Sequence, residues 1–488
     1  MLRGPETANA PFFAARGGNG AAIAAIALLS SCASRSHIEP TSPTPAPAAA
    51  SAVTTATAPE PPLPTPETSA TAATAEPPNS PRCAAEASAL SRACCSLAST
   101  LGGRVLGATV AAGPVEGGAA PARAADLSTR IAVCVARAVG GGARPVTSPL
   151  SFEQARKAAA PGHPLLYLTA QLAQGRLRVA AAAHAIAAGR NPSDSAFARA
   201  EASAELDGEI GAYLPRIAVA ASRIERAVAP SDIVALACGD VAGNGQAEIV
   251  AVGRHKVQIG RAGDGRFSPR VETQWSSLSP VAPSPLREPL GSAVIVRGSG
   301  VLVGISDRAE GFLLSPALAK VRVLGAPIPL GDDFGCLSRS GIALGAEGPC
   351  GRRGQHTEEL PVVDAFASGT VVDAEGRSTA VLATRDPATR RVSLRRGAGT
   401  TTLAEAGGAL AVADLDLDGQ PELLASVDTD KPEEDAVVIS TWARDGTIAE
   451  RLRVPVKDGV RAIAVCPAED VRMAPIVAAT TGGLWLVR

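Results

Sequence analysis

Aromatic side chains make up only 3% of the 488 residues, with three Trp, two Tyr and eight Phe, and there are two Met. Cores built on large rings are therefore excluded. The 46% hydrophobic content is rich in Ala and Val, which bury less apolar area per side chain. No sign of charge dominates: 46 basic and 47 acidic residues leave a formal net charge of -1. That balance argues against nucleic acid as a partner and against a generally basic membrane-binding surface. The five His (His37, His163, His184, His255 and His356) are scattered, and none of the nine Cys falls in a CxxC pair. Zinc and haem sites lose their usual ligands. Neither G-x-S-x-G nor H-E-x-x-H occurs, and the chain does not read as an enzyme.

Long hydrophobic runs are missing too. The run from Ala21 to Leu29 falls well short of the roughly 20 residues that span a bilayer, but it has the length of a signal-peptide core. Arg3 and Arg16 precede it, and it ends in Leu29-Ser30-Ser31-Cys32. This resembles the bacterial lipobox. The resemblance implies cleavage before Cys32, a diacylglycerol on its thiol, and anchoring by methylene burial worth about 0.8 kcal/mol each. With Ala33 and Ser34 following, it implies a cell-envelope lipoprotein sorted to an outer membrane. Residues 1–31 are then the signal peptide. Residues 32–81, mostly Pro, Ala, Thr, Ser and Glu, form a tether too poor in bulky apolar residues to offset ordering entropy.

Residues 82–228 read as a small α/β domain. Ala84 to Ser99 is a helix and Arg104 to Ala112 a strand. Asp126 to Val139 is an amphipathic helix with Leu127, Ile131, Cys134, Val135 and Ala138 on one face. Arg144 to Thr147 is a short strand, and Ser151-Phe152-Glu153-Gln154 a capping box that opens a second helix. Leu165 to Ala173 and Arg176 to His184 form a hairpin turning at Gln174-Gly175. Helices are expected at Ser195 to Leu214 and Arg216 to Val228, either side of Pro215. The order strand, helix, strand, helix, hairpin is similar to the amino-terminal domain of the Tol translocation protein B family and implies an envelope-assembly role. Cys83, Cys94, Cys95 and Cys134 lie here, and several pairings remain open.

Residues 229–488 contain repeats. Gly408 to Ser426 reads GALAVADLDLDGQPELLAS and Ile233 to Gly253 reads IVALACGDVAGNGQAEIVAVG. Each is an apolar strand, an acidic glycine loop, a Glu and a second apolar strand. Fainter copies surround Asp373 and precede Asp470. The pattern resembles the FG-GAP/VCBS repeat family, in which each unit is a blade of a β-propeller. The fold expected is multidomain, a small α/β domain followed by an all-β propeller of five to seven blades.

The best loop is Asp414-x-Asp416-x-Asp418-Gly419-x-x-Glu422. Its carboxylates and the Gln420 carbonyl supply the hard oxygens that Ca²⁺ takes. Asp240, Asn244, Gln246 and Glu248 form a poorer copy, with Ala242 at the third position. Cys238 and Cys466 stand at matching points of the first and last repeats, so a disulfide between them would lock the ring; Cys336 and Cys350 bracket a Gly-rich loop and are expected to pair. Trp275, Trp442 and Trp485 are candidates for sugar stacking, although Trp485 reads as core, and Lys431 to Asp435 reads as a solvated charge run. The function expected is a membrane-anchored binding or scaffold module for a protein or glycan ligand, with a carbohydrate-active enzyme as the remaining alternative.

Overall fold

The computed structural model describes residues 88–488 apart from 118–121, 187–194, 287, 297, 332–334, 339–340, 344–356, 359–361, 398, 404 and 443–446. The expected signal peptide (1–31), Cys32, the expected tether (32–81), Cys83 and Cys350 lie outside the described residues. Those described belong to one compact unit, Ala75–Arg488. Among them, no helix is long and apolar enough to cross a membrane.

The first part is a five-stranded sheet with helices. Helix α1 (Ala89–Leu101) starts at Ser88, whose hydroxyl accepts the Ser91 N–H at 3.1 Å, the usual service of an N-cap serine. Leu90, Ala93, Cys94, Leu97 and Leu101 give it one buried stripe. β1 (Thr109–Gly117) follows, then α2 (Ala124–Val139), β2 (Arg144–Pro145) and α3 (Phe152–Ala158). Ser151 and Gln154 cap α3 reciprocally, as their spacing predicts. β3 (Leu165–Ala173) and β4 (Arg176–His184) are the expected hairpin, with Gln174 and Gly175 both at positive φ in its turn. With β5 (Ala198–Glu205) at the far edge, the spatial order is β2-β1-β3-β4-β5, with β1 parallel to both β2 and β3. A disulfide joins Cys94 of α1 to Cys134 of α2, with Cα atoms 6.0 Å apart, and Cys95 is also disulfide-bonded.

The two expected helices over 195–228 are not present. Ala198–Glu205 is strand β5, Gly208–Gly211 a single turn (α4), and Ile224–Ala227 strand β6. Ala and Glu favour helix intrinsically, yet Ala alternates with Arg, Glu and Ser through β5, and the open edge of β4 accepts it in register. Period two prevails over propensity.

Among the described residues, six four-stranded antiparallel sheets follow and form a β-propeller. Their innermost strands are Ile233–Gly239, Gly291–Val296, Ile328–Pro329, Ala365–Val372, Leu410–Ala413 and Val460–Val465. The sixth sheet closes the ring with material from both ends of the region: Val460–Val465, Ile476–Thr480 and Gly483–Val487 are completed by β6, with Leu484 opposite Ala227. Pairing the first strand with the last removes open edges. Cys238 of the first blade and Cys466 of the sixth are joined by a disulfide, with Cα atoms 4.7 Å apart. Cys336 is disulfide-bonded, while its expected partner Cys350 lies outside the described residues.

One apolar cluster runs from Leu90, Leu97 and Ile131 in the helices to Leu415, Ile439 and Ile476 in the fifth and sixth blades. The helical part therefore seals directly onto the ring. Other clusters fill the spaces within and between blades. Trp275, 1% exposed, packs against Phe312 and donates its indole N–H to Gly253 at 2.9 Å. Asp435, expected in a solvated loop, is buried instead. Its carboxylate accepts the N–H groups of Val427 (3.0 Å), Ala436 (2.8 Å) and Val460 (2.7 Å), tying the fifth blade to the sixth.

Candidate acidic loop and channel

In the fifth blade, Ala413 pairs with Glu422, so residues 414–421 form the loop between the first two strands. Asp414 folds that loop by accepting the N–H groups of Asp418 at 3.0 Å and Gly419 at 2.9 Å. Leu417 and Gly419 both adopt positive φ, which is costly for a leucine. Its side chain is buried nonetheless, beside the helical part.

The turn brings together Asp414, Asp416 and Glu422, each with a carboxylate oxygen within 4.8 Å of the others. Glu422 is fully buried and Asp416 is 8% exposed. Glu422 accepts the Leu415 N–H at 2.7 Å through Oε2, while its Oε1 and the Asp416 Oδ1 have no hydrogen-bond partner. Burial pushes Glu422 up to about 9 and Asp414 up to about 7, and repulsion among the neighbouring carboxylates adds to both. Asp416 is raised for the same reasons, burial first and then Asp418. A buried carboxylate needs a proton or a cation. All-oxygen donors with two orphaned lone-pair positions fit Ca²⁺.

Asp418 lies outside this trio. Asp418 is exposed, and its Oδ1 accepts the Gln420 N–H at 2.8 Å. The Gln420 side-chain oxygen accepts from Arg396 at 2.7 Å.

The first blade repeats the frame with a different filling. Asp240 accepts the N–H groups of Asn244 (2.9 Å) and Gly245 (2.6 Å), and Asn244 accepts that of Gln246 (3.0 Å). Glu248, 2% exposed, is held by Arg270 through contacts of 2.7 and 3.1 Å. Asp240 also faces Arg176 at 3.6 Å. Here an arginine supplies the positive charge. In the fourth blade Asp373 is matched by Arg377 at 2.7 Å.

Strand register makes the comparison strict. Arg270 sits in a bulge between Pro269 and Val271, opposite Gly260 and Ile259; Arg451 sits in the same bulge of the fifth blade, between Glu450 and Leu452, opposite Ser440 and Ile439. Arg451 is exposed and does not bond Glu422 Oε1. Sequence reading missed both arginines, because they stand well downstream of the loops they concern. The signal was the pairing register, which only the folded sheet displays.

The inner strands line a cavity of ≈ 1890 Å³. Ala89, Arg92, Glu205 and Asp207 of the helical part line one end of it. Asp364 and Arg461 at the start of their inner strands, with Arg254 and Arg385 at the ends of the second strands paired there, line the other. Arg385 is fully engaged there, by Asp364, Asp428 and the Ala406 carbonyl. None of the three tryptophans stands as a free platform: Trp442 is 8% exposed, Trp275 is buried as described, and the Arg226 guanidinium covers Trp485 at 4.8 Å.

No protein-family model matches the chain, and no curated protein matches it. Solved structures are similar to it at low identity. A streptogramin B lyase structure is 10% identical over 55% of this chain and 97% of that one, with TM-score 0.31. The SapL1 lectin in complex with alpha methyl fucoside is 15% identical over 66% and 94%, with TM-score 0.25. AofleA from Arthrobotrys oligospora is 9% identical over 66% and 83%, with TM-score 0.28.

Proposed function

We propose that the chain is a non-catalytic binding module. Its propeller channel, covered at one mouth, presents the other to a protein ligand. One Ca²⁺ held by Asp414, Asp416 and Glu422 orders the fifth-blade loop, and lipid on Cys32 holds the chain at an envelope membrane. The observation that carries the reading is the channel itself, a deep concavity closed by the helical part at one end, the kind of site that binds ligands. Two of its described lining residues, Cys238 and Cys466, are tied in a disulfide and offer no thiolate nucleophile. A protein ligand is favoured over a glycan because the tryptophans are buried or covered.

The test places a photo-crosslinking residue at Glu288, by the open mouth, or at Val321, on the outer edge of the second blade. A partner captured from the envelope at Glu288 alone supports the reading. Capture at Val321 alone, or at neither position, refutes it.

The element order β1-α2-β2-α3-β3-β4 favours a second reading, a part in envelope assembly. Co-purification with peptidoglycan-associated lipoproteins would separate it from the first.

A further inference from the structure

The fifth-blade loop is also where the helical part rests on the ring. Gly208 and Gly211 of α4 lie directly against it. A methyl at Gly208 would collide with the Val372 carbonyl and stand 2.9 Å from the Gly419 Cα; one at Gly211 would collide with the Leu417 carbonyl. Ile210 and Leu214 share an apolar cluster with Leu415 and Leu417. The loop is braced from the other side by the Ala474 N–H, which donates to the Leu415 carbonyl at 3.0 Å. The carboxylates that meet in the trio shape this surface. Glu422 holds the Leu415 N–H, and Asp414 holds those of Asp418 and Gly419.

The consequence reaches the channel. Asp207 precedes α4, accepts the Ala89 N–H of α1 at 2.9 Å and the Ile210 N–H at 3.2 Å, and lines the cavity. Loop, α4, Asp207 and α1 thus form one chain of direct contacts from the acidic trio to the covered mouth. Further ties between the helical part and the ring, among them Gly208 against Val372, Glu209 beside Gly376, Gly175 against Ala468 and Arg176 beside Asp240, involve no acidic trio.

The geometry points to a cation-dependent clamp: occupation of the Asp414–Asp416–Glu422 loop fastens α4, and with it the helical part, over that mouth of the channel. The inference rests on the calcium reading of the same loop and adds that the cation governs docking. Coupling of this kind is reciprocal, so weakening the α4 contact must weaken calcium binding.

The full chain is measured with calcium chloride or with EDTA, by calorimetry and by hydrogen–deuterium exchange over residues 207–214 and the start of α1. Calcium binding with at least five-fold slower exchange in both segments supports the clamp. Binding with unchanged exchange there overturns the clamp and leaves the calcium reading standing; absence of binding overturns both. Gly211→Ala gives the reciprocal arm. The clamp predicts calcium affinity lowered at least five-fold with the propeller still cooperatively folded, and unaltered affinity contradicts it. Where that variant does not fold, the exchange comparison on the unaltered chain decides alone.

Discussion

Glu248 and Glu422 occupy the same position of the first and fifth blades and differ in what neutralises them. Glu248 is gripped by Arg270 at 2.7 and 3.1 Å, whereas Glu422 keeps a buried oxygen with no partner. One repeat carries its counter-charge in the chain; in the other, the proposed calcium would supply it.

Removing the buried acid should help the metal-free protein, because Glu422 is pushed up to about 9 and must take up a proton to fold near neutral pH. Glu422→Gln keeps the oxygen that accepts from Leu415 and removes the ionisable group. In EDTA this variant is expected to match or exceed the parent in urea unfolding. In calcium it is expected to fall below the parent.

Removing Arg270 should do the opposite. Arg270→Met strands the Glu248 carboxylate. A fully buried pair broken in this way costs about 3–5 kcal/mol, but the Arg270 side chain is 46% exposed, so about 2 kcal/mol is expected. Adding Glu248→Gln should recover most of it, and a double-mutant cycle in urea checks both values.

The first blade should be convertible. Ala242→Asp with Arg270→Leu supplies the missing third carboxylate and removes the internal cation. The expected result is a second calcium per chain by native mass spectrometry, with the fifth-blade site unchanged.

The pH dependence follows from the raised carboxylates. Asp414 at about 7 and Glu422 at about 9 hold protons in the metal-free fold that the unfolded chain has released above about pH 4. Folded pKa values above unfolded ones make stability greatest at low pH and lost as pH rises toward the folded values. In EDTA the urea midpoint should therefore fall between pH 5.5 and pH 8, both ordinary assay conditions on either side of neutrality. Saturating calcium, which binds the ionised forms, should flatten or reverse that fall.

The ring lock should be worth several kcal/mol. Cys238 and Cys466 are 228 residues apart in sequence, and closing so long a loop removes about 5 kcal/mol of unfolded-chain entropy in the chain-entropy model. Replacing both by Ser should lower the thermal midpoint while circular dichroism still reports the same strand content.

Much of the fold was legible because period and punctuation agreed. Leu165 to Ala173 alternates, turns at Gln174-Gly175 and returns through Arg176 to His184, and the structure keeps those limits. The Asp414 loop stood out by acidic spacing around Gly419. The Ala-rich stretch at Ala198–Glu205 misled because helix propensity is local, while its pairing with β4 is not. The docking of α4 was invisible for a similar reason: Gly208 and Gly211 fell inside the helix expected over Ser195 to Leu214, and Val372 and Leu417, which pack against them, come from elsewhere in the chain. Asp435 looked solvated within its charge run, and only the neighbouring blade reveals the N–H groups it satisfies.

The most direct test of the loop's role is calcium stoichiometry by native mass spectrometry on the purified chain, its Asp416→Asn variant and its Glu248→Gln variant. One calcium is expected on the parent and on Glu248→Gln, and none on Asp416→Asn at the same free calcium. A parent that binds none, or an Asp416→Asn chain that still carries one, would contradict the assignment.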